Sequence, residues 1–190
     1  MEGIEDMTNW QSGWANQGTI FLPDRRAVIT PFSPCSVIRG DYGWVSVAGA
    51  DVVWAVADRA LYIPFTLSRS MTMASMFVFN GTVVNGNFDM GIYDEWGARL
   101  ASLGSTVQAG INTYQNEALV ATFGPGIFYM ALVFDGVVAR TYSSGMTAIN
   151  MIILGCAIEA NAFPLPAVAT FATNLEVNIP WFGLTERSFL

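Results

Sequence analysis

The residues able to do chemistry here are mainly carboxylates: the chain carries 15 Asp and Glu but no His. Histidine is the commonest general base and a frequent metal ligand. Its absence removes any His-based nucleophilic triad. The eight cations are all Arg, so Ser–Lys chemistry is absent as well, and no GxSxG elbow occurs. A glycosidase needs only two carboxylates. Its candidates here would be Asp89, Asp94, Glu95, Glu117 and Asp135. Most of these fall in turns or on an outward strand face, where a carboxylate caps a turn or solubilises the surface. No catalytic residue is therefore expected. Ca²⁺ requires clustered oxygen ligands. Asp89, Asp94 and Asp135 could converge, but there is no DxDxDG loop, so Ca²⁺ is the one ion worth weighing and no cofactor is expected.

Aromatic residues beside polar ones suggest a second chemistry, the stacking of a sugar ring. Trp96 lies at an expected hairpin tip next to Asp94 and Glu95, and Tyr114 lies in a loop near Asn112 and Gln115. These four, Trp96, Asp94, Tyr114 and Asn112, form the candidate glycan site. The competing expectation is that Trp96 folds back on its own domain or buries in a subunit contact, since interfaces favour Trp and Tyr.

Composition bears on partners. Hydrophobic residues make up 53% of the 190 and charged ones 12%. That charged share is about half the usual one for a soluble domain. Some apolar surface is thus expected to be covered by other subunits. The net charge of -7, with cations scattered from Arg25 to Arg187, argues against a nucleic-acid partner. Cys35 and Cys156 are far apart and form no CxxC, so two free buried thiols are expected, as in a reducing cytoplasm. The opening Met1-Glu2-Gly3-Ile4-Glu5-Asp6 is acidic where a secretory signal would be basic. No segment reads as a membrane span: Ala148 to Ile158 is apolar but covers 11 residues, against the roughly 20 required.

The elements that must position these residues read as β. Residues 1–25 are polar and acidic with isolated Trp10, Trp14 and Phe21, and they lack a sustained period, which is the pattern of an assembly arm. Residues 26–190 form the domain, with an irregular lead-in over 26–58. From Leu61 onward, short β-rich runs alternate with turn signals at roughly 8–12-residue spacing, as in an antiparallel β-sandwich. Asn87 to Tyr93 alternates Phe88, Met90 and Ile92 against Asn87, Asp89 and Gly91, the period of a half-buried strand. Ile127 to Phe134 is almost wholly apolar and should run through the centre. Asp135-Gly136 signals a hairpin with Val137 to Tyr142 pairing back. Residues 146–160 read as either a short helix or an irregular loop, and Leu175 to Leu184 supplies a last strand interrupted at Pro180.

From Arg59 the chain resembles a jelly-roll domain of tailed-bacteriophage virion proteins, of the minor tail or decoration type. The resemblance rests on residues 59–65 (Arg59 to Phe65), 87–94 (Asn87 to Asp94), 103–110 (Leu103 to Gly110), 124–131 (Gly124 to Ala131) and 162–166 (Ala162 to Pro166), in that order. It covers about residues 59–185. It implies an all-β jelly-roll sandwich, a virion location after assembly in the host cytoplasm, and no catalytic residues. The implied partners are other virion proteins and copies of the chain itself, with a trimer favoured. A host-surface glycan is the alternative ligand.

Overall fold

A computed structural model describes residues 19–21, 27–29, 39–40, 43–44, 50–67, 69–145, 147–174 and 176–186. The leading strands are β1 (Thr19–Phe21), β2 (Ala27–Ile29), β3 (Arg39–Gly40), β4 (Gly43–Trp44) and β5 (Ala50–Val53). The main body follows as β6 (Ala60–Leu67), β7 (Met71–Phe79), β8 (Asn87–Asp94), β9 (Arg99–Ser102), β10 (Thr106–Val107), β11 (Tyr114–Phe123), β12 (Gly126–Phe134) and β13 (Arg140–Gly145). Among the described residues a short helix, α1 (Ala148–Ile153), precedes β14 (Ala157–Glu159), β15 (Ala172–Thr173), β16 (Asn178–Pro180) and β17 (Phe182–Glu186). Among the described residues strand accounts for 56% and helix for 5%, so the all-β expectation holds.

Two antiparallel sheets make a sandwich. One has the order β1-β2-β17-β7-β11, and the other β10-β8-β12-β6-β14-β15 with β9 also on β8. Successive strands β6, β7, β8 and then β11, β12, β17 change sheet at each step, an order compatible with a jelly roll. A three-stranded sheet, β16-β13-β5, joins the end of this body. There the Trp181 N–H donates to the Tyr142 carbonyl and the Phe79 N–H donates to the Trp181 carbonyl, each at 2.8 Å.

The main core lies between the sheets. Leu61, Ile63 and Phe65 of β6 meet Met73, Met76 and Val78 of β7, Phe88, Met90 and Ile92 of β8, Met130, Leu132 and Phe134 of β12, and Phe182 and Leu184 of β17. Six core residues are Met (71, 73, 76, 90, 130 and 151), whose unbranched, polarizable side chains fill irregular gaps. A second core covers the opposite face of the large sheet. Tyr62, Tyr93, Ala131 and Val133 pack there against Ala162, Leu165 and Ala169, with Phe163 and Phe171 alongside.

That second core corrects one expectation. β8 is buried on both faces, because residues 160–174 lie over the side that alternation assigns to solvent. A period-2 pattern of polar and apolar residues reports side-chain type, and here a polar side chain is buried by pairing it. Asp135-Gly136 also departs from expectation. β12 does not fold back on the residues that follow; β13 pairs with β5 and β16 instead. The Asp135 carboxylate accepts from the Asn87 N–H (2.9 Å) and Nδ2 (2.8 Å), which ties the turn to the start of β8. Ile127 to Phe134 does run centrally, between β6 and β8. The ambiguous stretch resolves into both a helix and a strand. Thr147 caps α1 by accepting from the Asn150 N–H, and Gly155 at φ +75° ends it. The last strand breaks just past Pro180, at Trp181, into β16 and β17.

Candidate functional site

The carboxylates singled out from sequence are dispersed, and Asp89, Asp94, Glu117 and Asp135 accept hydrogen bonds. Asp89 is wholly buried. Its oxygens accept from the Gly104 N–H (2.9 Å), the Leu165 N–H (3.0 Å) and the Ser102 hydroxyl (3.2 Å). Burial pushes its carboxyl above the usual range, with those three donors and the Arg99 guanidinium pulling the other way. Asp89 therefore fastens β8 to the residues after β9 and to the covering segment, and it does not sit on an outward face. Asp94 caps the β8–β9 turn, accepting from the Ala98 N–H (2.8 Å) and the Trp96 N–H (3.0 Å). Glu95 beside it is exposed. Glu117 accepts from Gln115 Nε2 at 2.8 Å. Asp94 pairs beside Phe128 while Asp135 follows Phe134, which separates the two by roughly 20 Å of strand. Among the described residues, no three His, Cys, Asp or Glu side chains stand close enough together to hold a metal ion.

The four-residue glycan candidate is divided in the same way. Trp96 projects from the β8–β9 turn, 79% exposed, with Asp94 beneath it. Tyr114 and Asn112 lie at the other end of β8: the Asn112 N–H donates to the Gly81 carbonyl, in the loop that leads into that strand. The Tyr114 hydroxyl donates to Asn116, its ring packs on Phe77 with centroids 5.1 Å apart, and Asn112 Oδ1 accepts from the Tyr142 hydroxyl. The pairs do not form one site. Of the arm residues, Phe21 ends β1, whose backbone pairs with β2 of the same chain. Trp10 and Trp14 lie outside the described residues, as does Cys35. Cys156 is a free, buried thiol, and burial pushes its pKa up to about 12.

Two polar constellations were not anticipated from sequence. The first closes the end of the sandwich where β7 meets β8. Asn80, wholly buried, donates through Nδ2 to the Ala109 carbonyl (2.7 Å) and to Gln115 Oε1 (3.0 Å), and it accepts from Gln108 Nε2 (2.9 Å). Gln108 also donates to the Arg140 carbonyl (3.1 Å) and accepts from the Asn85 N–H (2.9 Å). Nearby, Asp51 accepts from the Thr82 N–H (3.2 Å) and hydroxyl and from Arg140 (3.1 Å). Burial works to raise its pKa, but the Thr82 donors and the Arg140 charge outweigh it and hold the carboxyl below its usual range. Every polar atom named here has a partner, so this network holds loops together and offers no free group to a ligand.

The second constellation lines a small, partly open cleft where the small sheet meets β6 and β14. Val52, Ala60, Leu61, Ile158 and Pro180 form its apolar walls, and Trp54, Arg59, Thr141, Ser143, Glu176 and Asn178 supply polar groups. Trp54 packs its ring on Phe134 at 5.0 Å, and its Nε1–H is buried without an acceptor. Arg59 and Glu176 form an ion pair, and the Thr141 and Ser143 hydroxyls share a hydrogen bond at 3.1 Å. Asn174, wholly buried, accepts from the Glu176 N–H (2.7 Å) and positions that carboxylate's segment. The cleft draws on residues more than 120 positions apart, from Val52 to Pro180. No local motif marks it. No protein family, curated protein or solved structure matches the chain.

Proposed function

We propose that this chain is a structural, non-catalytic component of a tailed-phage virion, a capsid decoration or minor tail protein, working through contacts with other virion proteins and with copies of itself. The observation that supports a contact role is the apolar surface it leaves open. On α1, Ile149 is 64% and Ile153 75% exposed, with Ile152 and Leu154 beside them, while only Met151 of the helix is buried. A six-residue helix that turns its branched apolar side chains outward gains nothing from them in the monomer. The virion assignment rests on the resemblance of residues 59–185, and a trimer follows from the same resemblance.

Light scattering across protein concentration and ionic strength tests the contact role. With a net charge of -7, copies repel one another, and salt screens that repulsion. Association driven by apolar burial should therefore strengthen as salt rises, and Ile153→Asp should weaken it. A monomer under all conditions, together with virions that lack the chain, would defeat the proposal. A second reading, a host-glycan module, is favoured by the exposed Trp96 ring beside Glu95. Loss of host-cell binding on Trp96→Ala would select it.

A further inference from the structure

We infer that Asn85–Gly86 is a site of spontaneous deamidation in the folded protein, a modification that adds a carboxylate to this end of the sandwich with time. An asparagine followed by glycine closes on the backbone most readily, because glycine has no Cβ to hinder the approach of its nitrogen. The chain contains two such pairs, Asn80–Gly81 and Asn85–Gly86, and the structure separates them. Asn80 is wholly buried, its Nδ2 donates to the Ala109 carbonyl and to Gln115 Oε1, and the Gly81 N–H donates to the Arg140 carbonyl at 2.9 Å. Both reacting groups of that pair are held and shut away from solvent. Asn85 and Gly86 are exposed, in the loop between β7 and β8. Among the described residues, neither the Asn85 side chain nor the Gly86 N–H has a hydrogen-bond partner. Gln108 grips the atoms on either side of them: its Oε1 accepts from the Asn85 N–H at 2.9 Å, and its N–H donates to the Gly86 carbonyl at 3.1 Å. The turn is thus anchored while Asn85 Cγ and the Gly86 nitrogen stay free to react.

The chemistry needs only water. Hydroxide removes the Gly86 N–H proton, and the nitrogen attacks Asn85 Cγ. The N–Cγ bond forms, the Cγ–Nδ2 bond breaks, and ammonia leaves after taking a proton from solvent. Water then opens the cyclic imide at either carbonyl carbon. Opening at Cγ gives an ordinary aspartate at position 85, and opening at the main-chain carbon gives an isoaspartyl linkage. Nothing is oxidised or reduced: one water replaces one ammonia. The acid ionises, so each event makes the net charge of -7 one unit more negative. The new charge has a close neighbour. Asn85 Oδ1 stands beside Gly136, 3.9 Å from the place a Cβ would take there, and Asp135 Oδ1 stands beside Gly86. Asp135 already accepts from the Asn87 N–H and Nδ2. A second carboxylate here repels it, and salt screens that repulsion.

The test incubates full-length protein in warm, mildly alkaline buffer made with H₂¹⁸O, beside a sample unfolded in urea. Chymotryptic peptides are then sequenced by mass spectrometry, so that labelled acid is placed at position 80 or 85. In urea both positions should convert. In the native protein Asn85 should convert at least about tenfold faster than Asn80, which reacts only from an opened state. Asn85→Gln, whose longer amide must close a larger ring, should hold its isoelectric point while the wild type drifts acidic. Aged wild type should melt below fresh protein at low salt, with the gap narrowing as salt is added. Native protein that leaves position 85 unconverted while the urea sample reacts, equal native rates at 80 and 85, or an undiminished acidic drift in Asn85→Gln would overturn the inference. Equal melting of aged and fresh protein at low salt would overturn the coupling to Asp135.

Discussion

Replacing Asn80 by Ala isolates the contribution of the amide network to this fold. Asn80 is wholly buried and makes three side-chain hydrogen bonds, to the Ala109 carbonyl, Gln115 Oε1 and Gln108 Nε2. Gln108 Nε2 keeps the Arg140 carbonyl, and Gln115 Oε1 keeps the Ala109 N–H. The Ala109 carbonyl alone loses its side-chain donor outright. Three bonds at about 1 kcal/mol each, plus a share of the desolvation cost of one stranded carbonyl, give a loss of roughly 3–4 kcal/mol. For a chain of this size that corresponds to a fall in Tm of roughly 6–16 °C. Chemical denaturation of Asn80→Ala, Gln108→Ala and the double variant measures both the loss and the coupling. The two single losses should exceed the double loss by about 1–2 kcal/mol, since the residues share a bond. A loss for Asn80→Ala below about 1 kcal/mol, or additive single losses, would refute the reasoning and mean that water replaces the network without penalty.

Three further outcomes follow from buried groups. Burial raises the folded-state pKa of Asp89 above its unfolded value, so its contribution to stability is fully present below the unfolded carboxylate pKa and is lost as pH rises through the folded one. Thermal unfolding of wild type and Asp89→Asn across acid to neutral pH should show the wild type losing ground to the variant as pH rises; the opposite slope would reverse the assignment. At Gly91 an added Cβ would stand 2.8 Å from the Ala101 carbonyl and 3.0 Å from Leu165 Cδ1. Gly91→Val should thus destabilise by about 1–3 kcal/mol or more from overpacking, measurable by urea unfolding, and a neutral result would show that the covering segment yields freely. The Cys156 thiol, buried and with its pKa raised to about 12, should resist a thiol reagent at neutral pH and react on denaturation; fast labelling of the native protein at Cys156 would contradict its burial.

How much of this was legible in the sequence depends on the range of the interaction. Strands β7, β8, β11 and β12 announce themselves through apolar and β-branched runs bounded by Gly and Asn turns, but the pairing of β11 with β7 and of β12 with β8 joins segments distant in sequence that no local signal links. Asp89 shows where that logic fails. Its place in an alternating strand says outward, and only the segment bearing Leu165, 76 positions away, makes it inward. Asp135-Gly136 carries a strong local turn signal, yet the following residues find better partners in β5 and β16, from opposite ends of the domain. The Trp54 cleft is invisible for the same reason. Trp54, Arg59, Thr141 and Glu176 are ordinary residues until a third sheet gathers them.

The sparse charge of the chain acquires a structural meaning from where the charges go. Arg59 is paired with Glu176, Arg140 with Asp51, and Arg99 donates to the Leu165 carbonyl. Asp89 is enclosed by three donors, and Asp94 and Asp135 hold turns by accepting backbone N–H groups. A charged share of 12% is already low for a surface, about half the usual one; here much of it is directed to internal bonds, which leaves neutral and apolar groups to face outward. Such a surface is unfavourable for a solitary monomer at high concentration, because little but the net charge of -7 keeps copies apart. It is suited to a protein whose exposed Ile149, Ile153 and Trp96 become covered. The same economy commits the carboxylates that cap turns or pin strands: the lone pairs of Asp89, Asp94 and Asp135 are engaged by the fold, and using them elsewhere would cost it the contacts they supply.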